Sequence, residues 1–205
     1  MQEQTSTKDL TERLALIESM LAEGRRQSES WGWTFLLWGV ALYVAIVWGT
    51  WGQKLSVWGR SDLAWPVTML AASVLTIAIG LKKGRRQPGT TVGRAIVSLW
   101  ICGGISMFLL FPALSISGRL DQHGFVALIA GVLGIANGAS GIILKWKMQF
   151  ACAVVWWVTS IAACFGSHAQ LTAVFLAAIF ICQIVFGVYT MILESRRRPA
   201  GVVHA

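Results

Sequence analysis

Residues 127–144 read ALIAGVLGIANGASGIIL, a run without any ionisable side chain. A helix needs roughly 20 apolar residues to cross the hydrocarbon core of a bilayer, so this run has nearly the length of one membrane span. Its glycines lie along one stripe of a helix, because they are spaced 3, 4 and 3 residues apart; they are Gly131, Gly134, Gly138 and Gly141. The stretch therefore predicts a membrane-spanning helix that packs closely against another helix through a face of small residues.

Five further runs of similar length and composition occur, which gives six predicted spans: residues 33–51, 63–81, 95–116, 125–144, 149–166 and 171–193. None contains Asp, Glu, Lys, Arg or His, and only 13% of the 205 residues are charged, against about 25% in soluble domains. Composition therefore excludes most soluble enzymes. No run alternates with period 2, and backbone groups in lipid must be paired within the segment, so the sequence predicts an all-α, polytopic transmembrane helix bundle.

Basic residues set the predicted orientation of this bundle. Fourteen of the 17 lysines and arginines lie on one side of the predicted bilayer, whereas the other side has only Lys54, Arg60 and Arg119. The positive-inside rule then places both termini in the cytoplasm. Compact loops, together with a first apolar run that is a full span and not a signal peptide, predict the inner membrane of a bacterial cell.

The segment before the first span, residues 1–30, is predicted to form a cytoplasmic amphipathic helix. Leu10, Leu14, Ile17 and Leu21 fall at i, i+4, i+7 and i+11 and form one apolar stripe. The other positions mix acids and bases, whereas a membrane-surface helix usually has a polar face rich in Lys and Arg. We therefore expect the stripe to dock onto protein, with packing at the membrane interface as the alternative.

Residues 31–194 are predicted to form the transmembrane domain and residues 195–205 a basic cytoplasmic tail. Basic clusters at the predicted inner face fit two interpretations: topology signals alone, or contacts with anionic lipid headgroups, worth about 1 kcal/mol per basic residue. The residues concerned are Arg25, Arg26, Lys82, Lys83, Arg85, Arg86, Arg196, Arg197 and Arg198. Beside long apolar runs, the net charge of +8 indicates membrane topology and not a nucleic-acid partner.

Two amides lie well inside the predicted spans, Asn137 in the fourth and Gln183 in the sixth. An amide in lipid is costly unless it is paired, so we expect hydrogen bonds between helices, with Gln183 as a candidate partner of Asn137. Contact with a substrate is the alternative. Trp156 and Trp157, near mid-depth of the fifth span, either fill the bundle or form the wall of a pocket.

Nothing in the sequence indicates catalysis. The spans carry no ionisable group, which argues against ion-coupled transport, voltage sensing and proteolysis by paired aspartates. Walker A, H-E-x-x-H, G-x-S-x-G and C-x-x-C motifs do not occur. The cysteines are expected to be small buried hydrophobes that are not close to one another in the sequence; they are Cys102, Cys152, Cys164 and Cys182.

His123 and His168 are predicted at the outer ends of two spans, with Cys164 four residues before His168. Two histidines at one depth can bind a metal ion or a haem, but surface histidines are the more common case, so we expect no metal and no cofactor.

The sequence therefore predicts a non-catalytic inner-membrane scaffold, sensor or regulatory subunit that works through helix packing and its N-terminal helix. Its expected partners are membrane lipids and either a second copy or another membrane or cytoplasmic protein. A passive pathway for a small neutral solute, lined by Asn137, Gln183 and hydroxyl groups, is the alternative function. The six spans also read as three consecutive hairpins, each with a short outer turn and a basic inner end.

Overall fold

The computed structural model of the protein describes residues 2–55, 63–84 and 91–197, and helices account for nearly all of these residues, with no strand among them. The helices are α1 (Gln2–Glu29), α2 (Gly32–Leu55), α3 (Ala64–Gly84), α4 (Thr91–Ile116), α5 (Gln122–Ile143), α6 (Lys147–Phe165), α7 (His168–Ile179) and α8 (Phe186–Arg197). A π-helical segment, Phe180–Val185, joins α7 to α8 without a break in the helical backbone.

Six of the described segments are long and apolar enough to cross a membrane: α2, α3, α4, α5, α6 and the continuous segment from α7 to α8. The predictions of an all-α fold and of six spans in a multi-pass membrane protein are thereby confirmed. Several helices begin earlier than predicted, because their first turns use polar residues such as Arg94 and Lys147. Pro112 lies inside α4, which continues to Ile116, so the proline does not end this helix early.

α5 and α6 pack more extensively than any other pair of described helices. The three residues between them form a tight turn in which Lys145 has a φ of 49°. The N–H of Trp146 donates to the carbonyl of Gly141 over 2.8 Å, and the N–H of Lys145 donates to the carbonyl of Ile142 over 3.2 Å. This is the Schellman arrangement, here with lysine in the left-handed position where glycine is usual.

The closest pair therefore joins spans four and five, and not two spans of one predicted hairpin. The predicted hairpins of spans three with four and five with six pack less closely, and α2 contacts α3, α8 and the π-helical segment. Aromatic rings tie α2 to the rest of the bundle: the Phe35 ring lies edge-on to Trp100 at 5.5 Å and to Phe186 at 5.1 Å between centroids. These contacts join α2, α4 and α8 near the end of the bundle where α1 lies, which we call the α1 end.

Candidate functional site

The first half of α1 stands clear of the bundle. Every side chain that the structure describes between residues 10 and 19 is exposed. The predicted docking stripe is part of this surface: Leu10, Leu14 and Ile17 are 56%, 61% and 53% exposed, and Leu21 is half-buried. The stripe is therefore not covered by the described part of the bundle.

The last turns of α1, in contrast, are built into the bundle. Gly24 is buried, and a Cβ atom there would lie 3.0 Å from Val92 Cγ1 and 3.3 Å from Leu144 Cδ2. Glu29 is only 2% exposed and forms an ion pair with Arg25, whose Nε lies 3.3 Å from Glu29 Oε1. The helix therefore has a free half and an anchored half.

Arg25 also contacts the turn between α5 and α6, because its guanidinium lies 5.4 Å from the centre of the Trp146 ring. Such a cation–π contact strengthens where the groups are shielded from water. Arg26 makes a surface ion pair with Glu23, at 3.7 Å between Nη1 and Oε2. Arg25 and Arg26, two of the nine residues that were predicted to contact lipid headgroups, thus each form an ion pair within α1.

The other predicted headgroup contacts are less constrained. Lys82 and Arg196 are exposed. The structure does not describe the side chains of Lys83 and Arg197, and the remaining three residues, Arg85, Arg86 and Arg198, lie outside the described ranges.

The glycine stripe of α5 faces α6. A Cβ atom added at Gly134 would overlap the indole of Trp157, and one at Gly138 would lie 2.9 Å from Trp157 Cη2. At Gly141 the neighbour is backbone: a Cβ atom there would lie 2.7 Å from the nitrogen of Phe150. Only Gly131 has room, with Ser160 Oγ at 3.6 Å. The missing side chains therefore allow α6 to approach, and Trp157 fills the groove they leave.

Asn137 lies beside this stripe and is fully buried. Its Nδ2 donates to the carbonyl of Leu133, one turn earlier in the same helix, over 2.9 Å. The amide hydrogen therefore goes to its own helix and not to Gln183, the partner considered from the sequence. Within the described residues, Asn137 Oδ1 has no hydrogen-bond partner. A buried acceptor in this state destabilises the fold unless something else donates to it.

A second buried amide, Gln149, was missed because it stands at the very start of the predicted fifth span. It is 0% exposed, and neither Nε2 nor Oε1 has a hydrogen-bond partner in the part of the chain that the structure describes. Gln183 is also buried, and its Oε1 has no hydrogen-bond partner among the described residues. Only its position in the interior, which a single sequence does not reveal, distinguishes Gln149 from an ordinary interfacial glutamine.

The antiparallel fifth and sixth spans place two of these amides, Gln149 and Gln183, at a similar depth in the bundle. The Trp156 ring lies 6.3 Å from that of Phe175, and the Trp146 ring lies 5.3 Å from that of Phe186. Gln149 lies between Trp146, just before α6, and Trp156 within it, so it is at the level of the π-helical segment that contains Gln183. Asn137, on α5, shares their burial, and we call the three buried amides Asn137, Gln149 and Gln183 the amide layer.

Two thiols join this layer. Cys152 and Cys182 are both buried, and their side chains are within hydrogen-bonding contact of each other. Cys182 Sγ also lies 3.6 Å from the backbone oxygen of Cys152. The two cysteines are 30 residues apart in the sequence, so spacing gives no sign of the pair. Cys182 and Gln183 both belong to the π-helical segment, a helix type that is frequent at functional sites.

α2 packs against the π-helical segment beside Gln183. A Cβ atom at Gly39 would lie 2.8 Å from Gln183 Cβ and 2.8 Å from Ile184 Cδ1, so glycine is needed for α2 to pass the π-helical segment. Trp156 is 0% exposed and fills the bundle.

The two histidines meet at the opposite end of the bundle from α1. The rings of His123 and His168 are 4.7 Å apart between centroids and inclined at 56°. Cys164, considered with them from the sequence, instead donates to the carbonyl of Ser160 in its own helix over 3.4 Å. Among the described residues there is no cluster of three or more His, Cys, Asp or Glu side chains placed to hold a metal ion.

Comparison with known proteins adds no relative from which a role could be transferred: no protein-family model, no curated protein and no solved structure matches this chain.

Proposed function

We propose that this chain is a non-catalytic, multi-pass inner-membrane protein with cytoplasmic termini, a scaffold or regulatory subunit that assembles through its N-terminal helix. One observation carries the proposal: the apolar stripe on the first half of α1 is exposed, although the last turns of the same helix are fixed to the bundle. A helix anchored at one end and apolar along its free half is suited to hold a partner at a defined distance from the membrane.

The spacing of the stripe favours a coiled coil. Leu10, Leu14, Ile17 and Leu21 are 4, 3 and 4 residues apart, which matches the alternating d and a positions of a heptad repeat. In this register Arg13 takes position g and Glu18 the following position e. A parallel pair of such helices places Arg13 of one copy opposite Glu18 of the other, an ion pair that specifies parallel pairing.

The partner we propose is α1 of a second copy of this chain. Copies inserted in one bilayer share one orientation, so their anchored N-terminal helices leave the membrane on the same side. Two heptads are too few for a stable coiled coil in solution, where three to four are usual. Confinement of two copies to one membrane raises their effective concentration and offsets this shortfall.

Cysteine cross-linking at two leucines tests the proposal. Leu14 and Leu16 are both 61% exposed, but Leu14 takes position a, and Leu16 takes position c on the outer side. Leu14→Cys and Leu16→Cys are each introduced into a chain whose native cysteines are serine, and membranes are treated with a mild oxidant. We expect a disulfide-linked dimer for Leu14→Cys and none for Leu16→Cys.

Equal cross-linking of the two variants, or none in either, would overturn the pairing. A second measurement uses the native chain in nanodiscs, with mass read by light scattering. Leu14→Glu should convert the dimer to monomer, and Leu16→Glu should leave it intact. Loss of the dimer with both glutamates, or with neither, would also contradict the proposed interface.

The proposed orientation has its own test. Reporters that are active only in the cytoplasm, or only outside it, are fused after Arg197 and after Leu120. We expect external activity at Leu120, because three spans precede it, and cytoplasmic activity at Arg197, because six spans precede it and the tail is basic. Activity on the same side for both fusions would exclude an N-in, C-in chain.

A second candidate function, a passive pathway for a small neutral solute, is favoured by the amide layer. Unpaired acceptors at Asn137 and Gln183 would bind a guest that donates hydrogen bonds. The test is solute flux into liposomes that contain the wild-type chain or Asn137→Leu. Equal flux in the two preparations, or flux no greater than that of empty liposomes, would remove this candidate.

A further inference from the structure

We propose that His123 and His168 bind a divalent transition-metal ion of the zinc and copper class at the end of the bundle opposite α1. The proposal rests on the contact between these two side chains and does not depend on the proposed function. The sequence alone raised this pair as possible metal ligands but favoured ordinary surface histidines, because it does not show that the two rings meet.

The spacing of the rings fits two ligands of one ion. A zinc–imidazole bond is about 2 Å long, so two imidazoles bound side by side to one ion have centroids about 5 Å apart. The centroids of His123 and His168 are 4.7 Å apart, and the rings are inclined at 56° and not stacked in parallel. The two side chains therefore need little movement to share an ion.

The hydrogen bond of His123 selects the tautomer that binds metal. His123 Nδ1 lies 2.8 Å from the carbonyl oxygen of Ala163. A carbonyl can only accept, so Nδ1 carries the hydrogen, and in the neutral ring the lone pair is on Nε2. Metal-binding histidines commonly have this arrangement, with one ring nitrogen donating to a backbone carbonyl and the other bound to the ion.

Three helix ends hold the pair in place. His123 lies in the first turn of α5, and its partner Ala163 is near the end of α6. His168 is the first residue of α7, whose start is fixed by a capping box between Ser167 and Gln170. A metal ion bound to both rings would therefore clasp the starts of α5 and α7, which belong to the fourth and sixth spans.

Solvent supplies the remaining coordination positions. His168 is exposed, and within the described ranges no third His, Cys, Asp or Glu side chain joins the pair. Imidazole and water together suit zinc, copper and nickel, and among these the Irving–Williams order makes copper(II) the tightest. Because protonated imidazole cannot ligate, binding should weaken as the pH falls.

Calorimetric titration tests the site. The full chain, in nanodiscs and purified through a tag without histidine, is titrated with Zn²⁺. We expect His123→Ala and His168→Ala each to weaken binding by at least about 10- to 100-fold, because loss of a group that only supports a metal ligand already costs that much. His204→Ala removes the third histidine of the chain and should leave the affinity unchanged.

Copper(II) provides a spectroscopic measurement that identifies the ligand atoms directly and does not depend on how the substitutions affect the stability of the fold. Electron paramagnetic resonance of the Cu²⁺-loaded chain should show hyperfine coupling to two imidazole nitrogens, and to one in His168→Ala. No Zn²⁺ binding by the wild type, or binding that survives both alanine variants, would overturn the site. A copper spectrum without imidazole coupling would contradict it as well.

Discussion

α4 and α5 are neighbouring spans of nearly equal apolar character, yet they have opposite roles in the bundle. Half of the residues in the most apolar window of α5 are buried, against 6% in α4. α5 has its four-glycine stripe pressed against α6, whereas Gly104 of α4 has no atom within 4 Å of the place where a Cβ atom would be. Apolar composition identifies a span, but close packing depends on where the small residues stand.

A glycine in a membrane helix therefore does not by itself indicate close packing against a neighbouring helix. In α5 the glycines form a continuous groove that a tryptophan of the next helix fills. In the middle of α4, Gly103 and Gly104 contribute little to contact: a Cβ atom at Gly103 would meet Val132 Cγ1 at an ordinary 3.6 Å. Substitutions in the α5–α6 pair should therefore change stability more than matched substitutions at loosely packed positions.

The largest effect is expected at Gly141. Gly141→Ala places a methyl group against the backbone of Phe150, which a side-chain rotation cannot relieve, so the helices must separate. Overpacking of this kind costs about 1–3 kcal/mol, and we expect a loss near the upper end. The measurement is the free energy of unfolding in detergent micelles titrated with a denaturing detergent.

Gly104→Ala is the matched control for this substitution. Alanine is the better helix former by about 1 kcal/mol in water, and nothing at Gly104 opposes the added methyl group. The same chemical change should therefore leave stability unchanged or raise it slightly in α4. A loss at Gly104 equal to that at Gly141 would mean that the two helices are equally packed.

A smaller loss, about 1–2 kcal/mol, is expected for Gly134→Ala, because its obstacle is the Trp157 side chain and an indole can rotate. In a Trp157→Leu background the loss should fall below about 0.5 kcal/mol, since the smaller side chain leaves room. Gly131→Ala, on the same stripe but with only an ordinary contact at 3.6 Å, should be neutral. An undiminished loss at Gly134 in the leucine background would show that Trp157 is not its obstacle.

Much of this fold could be predicted from the sequence because the bilayer makes strict demands on a chain. Six uncharged runs of span length leave only helices as a solution, and the spacing of Gly131 to Gly141 indicates a packing face. Helix ends were less accurate, as at Thr91 and His168, since first turns tolerate the polar residues that hydropathy assigns to loops.

The contacts between spans could not be predicted in the same way. Nothing in the spacing of Cys152 and Cys182, or of His123 and His168, indicates that these side chains meet, because three-dimensional packing brings them together. The division of the spans into three hairpins depended on their short outer turns and basic inner ends. It missed the α5–α6 pair, which is held by its glycines and by the left-handed turn at Lys145.

Gln149 is expected to respond in the opposite direction from the glycines. Its amide is buried without a hydrogen-bond partner among the described residues, so Gln149→Met removes two unpaired polar atoms and nearly keeps the volume. We expect stability to rise by about 1 kcal/mol, measured in the same detergent titration. Gln122→Met, at an exposed position of α5, should change it little. A loss at Gln149 would mean that a bound molecule or water satisfies the amide in the native protein.

The smallest effect compares one serine in each of the two helices. Ser140 of α5 is fully buried and accepts a hydrogen bond of 3.2 Å from Trp100 Nε1, whereas Ser106 of α4 is exposed and donates to Cys102 in its own helix. Hydrogen bonds between membrane helices are worth about 0.6 kcal/mol on average, so Ser140→Ala should lower the free energy of unfolding by about that amount. Ser106→Ala removes no contact between helices and should lie within error of the wild type. If Ser140→Ala no longer lowers stability in a Trp100→Phe background, the loss comes from this hydrogen bond, which links the exposed α4 to the buried α5. If Ser140→Ala still lowers stability in that background, the loss comes from the cavity that it leaves beside α5.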